Sequence, residues 1–146
     1  MHRQQGLNYR ITKTYKMASQ EEINQVVNLA HEAFLALRKS NFQQRAELMN
    51  SIAGEIEALG DELIHTAHEE THLPIARLIG EKGRTVMQWR SYGAALAAGS
   101  ILDVRIDTAL PERTPPRPDI RKTYVGLGPV VVFGASNFPF AFSTAG

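Results

Sequence analysis

The chain has 146 residues, enough for one ordinary domain with a core of its own. Apolar residues make up 43% and charged residues 21%, the balance of a folded globular protein and not of a disordered one. Sixteen basic against fifteen acidic side chains leave a formal charge of +1, which gives no electrostatic case for nucleic acid or a membrane surface as partner. With no cysteine, these residues hold no disulfide, no thiolate metal ligand and no thiol nucleophile.

The opening MHRQQGLNYR lacks the apolar centre of a signal peptide. The longest strongly apolar run, Val130 to Phe133, is too short to span a bilayer. A cytoplasmic location is the expectation.

From about residue 19 to residue 99 the pattern is helical, and about four helices are expected. Ser19-Gln-Glu-Glu22 spells a capping box. Ile23, Val26, Val27, Ala30, Phe34 and Leu37 then recur as one apolar stripe. A second helix starts near Ser40 or Asn41, buries Leu48, Ile52, Ala53, Ile56 and Leu59, and ends at Gly60. A third runs from about Asp61 to Glu70 or Thr71 and buries Leu63, Ile64 and Ala67. A fourth begins near Pro74, is lined by Ile75, Leu78, Ile79, Val86 and Leu96, and ends at Gly99. Gly80 and Gly83 inside it predict close packing against a neighbour.

Beyond Gly99 the pattern changes. In Ile101 to Asp107, Leu102, Val104 and Ile106 alternate with Asp103, Arg105 and Asp107, which predicts a strand with one wet face. Pro111 to Pro118 is a proline-rich connector, and the four basic residues from Arg113 to Lys122 belong to a solvated loop. Arg121 to Val125 is expected as an edge strand, and Gly126 to Gly128 as a turn. Val130 to Phe133 is apolar on both faces, the pattern of a strand inside a parallel sheet. Gly134 to Asn137 follows as a sharp loop, and Pro139 starts a helix. A parallel neighbour needs a crossover of a dozen or more residues, and none follows Gly146. The expected class is therefore α/β: a helical segment leading into strands that begin a doubly wound nucleotide-binding domain, incomplete in this chain. Residues 129–146 would hold its first strand and loop.

Two motifs compete for the chemistry. His68-Glu-Glu-Thr-His72 has the spelling of a zinc peptidase site, with His65 as a third imidazole. Pro74 argues against it: it makes Leu73 extended and so puts His72 at or beyond a helix end, off the face that His68 occupies. A zinc hydrolase using His68 and His72 is the remote alternative, and no metal is expected. The second motif is the loop after Val130 to Phe133. Loops past the carboxyl end of a parallel strand are where ligands bind. A carboxamide there, Asn137, can donate to a developing oxyanion, or can simply cap the helix starting near Pro139.

The run Val132-Phe-Gly-Ala-Ser-Asn-Phe-Pro-Phe-Ala-Phe-Ser143 resembles the aldehyde dehydrogenase superfamily, and within it the 2,5-dioxovalerate (α-ketoglutaric semialdehyde) dehydrogenase branch. Further pieces that are similar are Ala33-Phe34, Arg45-Ala46, Glu70 to Pro74, Ala76 to Leu78, Gly80-Glu81, Gly83 to Thr85 and Arg117 to Asp119. In that branch the place of His72 is usually glycine. The resemblance covers about Ala18 to Gly146 and leaves residues 1–16 unmatched.

The resemblance implies an NAD(P)-dependent oxidation of a small aldehyde to a carboxylic acid, in an enzyme that is a homo-oligomer when complete. It implies that Asn137 steadies the oxyanion formed when a cysteine thiolate attacks the aldehyde. It implies also that Phe133, Gly134, Ala135, Ser136 and Asn137 lie along the NADP or NAD cofactor, with Phe138 and Pro139 aiming the amide. The family's cysteine and general-base glutamate would lie beyond Gly146. An amino-terminal fragment, inactive alone and without firm cofactor binding, is thus expected. A helical interaction module without catalysis, pairing with intact subunits, is the alternative.

Overall fold

The computed structural model describes residues 16–145, and MHRQQGLNYR lies outside them. Helix α1 spans Gln20–Leu37, and its start is the expected capping box. Ser19 Oγ accepts the Glu22 N–H at 3.2 Å, and the Glu22 carboxylate accepts the Ser19 N–H at 2.7 Å. Helix α2 spans Phe42–Ala58 with Asn41 and Gln44 in the same reciprocal arrangement. Between the two, Arg45 folds back: it donates to Ser40 Oγ and to the carbonyls of Arg38 and Ser40, fixing the link.

Gly60, at φ 56°, breaks α2 from α3, which spans Gly60–Thr71. Only a residue without a Cβ takes that left-handed geometry at little cost. Helix α4, Ile75–Ala97, is the central element: α2, α3 and α5 (Phe142–Ala145) all pack on it. The core consists of Ile64, Ala67 and Leu78, joined by half-buried Leu73 and Phe140, with Ala46, Ala53, Val86 and Leu96 buried between α2 and α4. Lys82 of α4 donates to the Glu57 and Gly60 carbonyls at the end of α2, where a cation meets the negative pole of that helix. Arg90 adds an ion pair to Glu57 at 2.5 Å.

The burial pattern departs from expectation in several places. Ile75, Ile79, Leu48 and Leu59 are exposed, and so is most of the α1 stripe, including Ile23, Val26 and Val27; α1 has no buried residue. Gly80 and Gly83 do not mark a close contact, for a Cβ placed on either would meet nothing within 4 Å. The close approach is at Gly93, where a Cβ would lie 3.2 Å from the Ala46 carbonyl oxygen and 3.3 Å from Asn50 Oδ1.

After α4, a 3₁₀ turn occupies Ser100–Leu102, and Asp103 is left-handed at φ 41°. The strand expected over Ile101 to Asp107 is cut to β1, Arg105–Asp107, because that turn consumes its first half. It pairs antiparallel with β2, Ile120–Lys122, in the register Ile106 opposite Arg121. Both strands are exposed, so β1 has no dry face.

Val130 to Phe133 is not a strand here. The two-stranded β1–β2 sheet is the only sheet among the described residues, and nothing pairs with this run. A strand exists only when its N–H and C=O groups find a neighbouring ladder. The side chains are correspondingly open, Val130 at 78% and Phe133 at 90%. Among the described residues no helix is long and apolar enough to cross a membrane.

Candidate active site

Ala135 to Phe138 forms a tight turn, closed by the Phe138 N–H donating to the Ala135 carbonyl at 3.0 Å. Ser136 and Asn137 are its two central residues and both are exposed. The Asn137 side chain makes no hydrogen bond with the described residues. It does not cap a helix, because α5 starts only at Phe142, five residues later. The helix expected at Pro139 is delayed by a run of turns over residues 139–141.

What holds this turn is α4. The Arg77 guanidinium donates to the backbone carbonyl of Asn137 and lies over the Phe138 ring, 4.8 Å from its centroid. Phe138 in turn stacks on Phe142 at 4.8 Å and 17°. One helical turn further along α4, Glu81 Oε1 accepts the N–H groups of Phe140 at 2.8 Å and Ala141 at 3.0 Å. Glu81 is 6% exposed, and its Oε2 is buried with no partner among the described residues. Ala141 is buried, and Phe140 packs on the core of Ile64, Ala67 and Leu78. The segment 137–141 is therefore fixed at a carbonyl, a ring and two amides, while the Asn137 carboxamide points free of all of them.

Of the residues expected along a cofactor, Phe133, Gly134, Ser136 and Asn137 are exposed and Ala135 is half-buried. Space beside Gly134 is open, since a Cβ there would touch nothing within 4 Å. Gly134, Ala135 and Ser136 carry small side chains, so a flat ligand can approach the run there. Neither an apolar cavity of about 350 Å³, bounded by Trp89, Pro139 and Phe140, nor one of about 440 Å³, bounded by Arg38, Phe42 and Tyr124, includes them.

The histidine motif resolves differently. Helix α3 stops at Thr71, and His72 is its cap in the left-handed conformation, φ 58°. His68 Nδ1–H donates to the Leu73 carbonyl at 2.7 Å, so that ring nitrogen is committed to the backbone. Among the described residues no three His, Cys, Asp or Glu side chains gather into a group that could hold a metal ion. Nothing in the geometry supports the hydrolase reading.

Arg77 and Glu81 are the residues whose part at this turn sequence reasoning missed. A signal for Glu81 existed: it lies on the same face of α4 as Leu78, Thr85 and Val86, all buried. A carboxylate on a buried stripe requires a partner elsewhere in the fold.

Comparison with known proteins completes the description. A family model described as "Aldehyde dehydrogenase family" matches residues 5–145, beginning well before Ala18, so most of the opening segment expected to be unmatched is included. Alpha-ketoglutaric semialdehyde dehydrogenase 2 of Azospirillum brasilense is 53% identical over 133 residues, covering 90% of this chain and 25% of that protein. The alpha-ketoglutaric semialdehyde dehydrogenase of Acinetobacter baylyi (strain ATCC 33305 / BD413 / ADP1) is 49% identical with the same coverage. The chain thus spans about a quarter of the length of these relatives.

Proposed function

The chain belongs to the aldehyde dehydrogenase family, and from that premise we propose that it supplies the oxyanion-stabilising part of an NAD(P)-dependent semialdehyde dehydrogenase, with Asn137 as the donor. The observation that carries the reading is the Asn137 carboxamide itself: exposed, without a partner among the described residues, on a turn whose backbone is fixed to α4. A donor held in place before the reaction costs no reorganisation when charge develops in front of it.

The chemistry follows from that placement. A thiolate, which none of these 146 residues provides, adds to the aldehyde carbon, and the carbonyl electron pair moves onto oxygen. The Asn137 N–H donates to that oxyanion. Collapse of the oxyanion expels hydride, and the acyl group left on sulfur is released by water as the acid. NAD(P)+, when bound, supplies the hydride acceptor. Phe133 to Asn137 would lie along it, with the small side chains of Gly134, Ala135 and Ser136 leaving the backbone approachable. The substrate is a semialdehyde of the α-ketoglutaric type, as the names of both relatives indicate for those proteins. The complete enzyme works in the cytoplasm as a homo-oligomer, and the 146 residues alone turn nothing over.

A hybrid in which this chain replaces the matching quarter of the Azospirillum relative tests the proposal. The hybrid is expected to reduce NAD(P)+ with α-ketoglutaric semialdehyde, and the purified 146-residue chain is expected not to. Turnover by the chain alone would overturn the reading. So would a folded hybrid that binds substrate but oxidises none.

A further inference from the structure

We propose that Arg77 and Glu81 are positioning residues that set the register of the Asn137 turn; the inference rests on the role given to Asn137 above. They stand four residues apart on α4, on one side of it. Arg77 holds the turn at the Asn137 carbonyl and the Phe138 ring. Glu81 holds the Phe140 and Ala141 amides. Between the Asn137 carbonyl and the Phe140 amide lie only Phe138 and Pro139, and proline fixes its own φ. A segment this short, pinned at both ends, leaves the Asn137 Cα little freedom, and the carboxamide inherits that restraint.

The energetics single out Glu81. Burying a carboxylate is unfavourable unless hydrogen bonds compensate it. Here one oxygen accepts two N–H groups and the other is buried without a partner among the described residues. An apolar side chain would suit the Leu78 core better on stability alone. What the carboxylate adds is directional: two charge-assisted bonds that fix residues 140 and 141 along α4. Arg77 is exposed and adds nothing to the core, yet its planar guanidinium can meet a carbonyl and cover a ring at once. Arg77 thus acts on the turn alone, and Glu81 ties the turn to the core through Phe140 and Ala141. An error of about 1 Å in such a group can cost about a hundredfold in rate.

Hydrogen exchange of the 146-residue chain reads the register directly. The Phe140 and Ala141 amides should be protected in the parent, at least about tenfold less so in Glu81→Ala, and largely protected again in Glu81→Gln, which keeps one acceptor oxygen. The α2 and α4 amides should not change. Arg77→Ala alters an exposed residue that the core does not use, so it should fold as the parent does. It should loosen the turn, so that the Phe138 amide, bonded to the Ala135 carbonyl in the parent, becomes at least about tenfold less protected. Unchanged protection at 140 and 141 in Glu81→Ala, or unchanged protection of the Phe138 amide in Arg77→Ala, overturns the proposal. Should Glu81→Ala not fold, Arg77→Ala decides alone.

In the hybrid enzyme, both alanine variants should lower kcat about tenfold with KM little changed. Loss of rate in Asn137→Ala but not in the Arg77 or Glu81 variants removes this inference and leaves the function standing. Full rate in Asn137→Ala removes the function, while the exchange data still judge the register.

Discussion

His72 sits at φ 58° where α3 ends, a conformation in which a side chain costs about 1 kcal/mol that glycine does not. His72→Gly should therefore raise the melting temperature by a few degrees, and thermal unfolding of the two chains checks it. The motif that spells a metal site in sequence is in structure the end of a helix just before Pro74, where the proline predicts it. Glu22 gives a second case. The N–H of Ser19, and then its hydroxyl, hold the Glu22 carboxyl below the usual glutamate range. Its folded value lies under the unfolded one, so its contribution to α1 is present above about pH 4 and is lost as pH falls through the lower folded value. Relative to the intrinsic exchange rate at each pH, protection of the amides at the start of α1 should fall on acidification in the parent, and that pH step should be lost in Glu22→Gln. Asn137 itself was legible only as a choice between capping and catalysis. The structure removes the cap, because the next helix begins at Phe142 and not near Pro139.

Helices α1 to α4 were legible because their signals are local. A capping box, a proline before the first turn and a glycine after the last each act within a few residues. Their burial was less so, since a periodic stripe says which face is apolar but not what covers it. The glycines of α4 show the difference. Gly80 and Gly83 face open space, and Gly93 faces the α2 backbone. Gly80→Ala and Gly83→Ala should each stabilise the chain by about 0.5–1 kcal/mol through helix propensity. Gly93→Leu should destabilise it by about 1–3 kcal/mol, because the Ala46 carbonyl is main chain and cannot move aside cheaply. Denaturant midpoints of the three variants would separate the two behaviours. The β-elements were the least legible. The 3₁₀ turn over Ser100–Leu102, with Asp103 after it at φ 41°, consumed half of one predicted strand, and Val130 to Phe133 carried a strand's composition without a partner among the described residues.

At the scale of the molecule, the core gathers around α4, and the same helix carries both groups that hold the Asn137 turn. Stability and site are thus built on one element, with buried Leu78 three residues from Glu81 and one from Arg77. The chain spans a quarter of the length of its relatives and contains no cysteine, so its proposed part in the reaction is electrostatic and not covalent. The family resemblance was legible in the Asn-Phe-Pro run and its flanks. The means by which α4 holds that run was not, because it joins residues 60 positions apart. Steady-state kinetics of the hybrid enzyme with Asn137→Ala test the central claim most directly. Losing one oxyanion donor should lower kcat by about 100- to 1,000-fold with KM close to the parent's. A kcat equal to the parent's would contradict it.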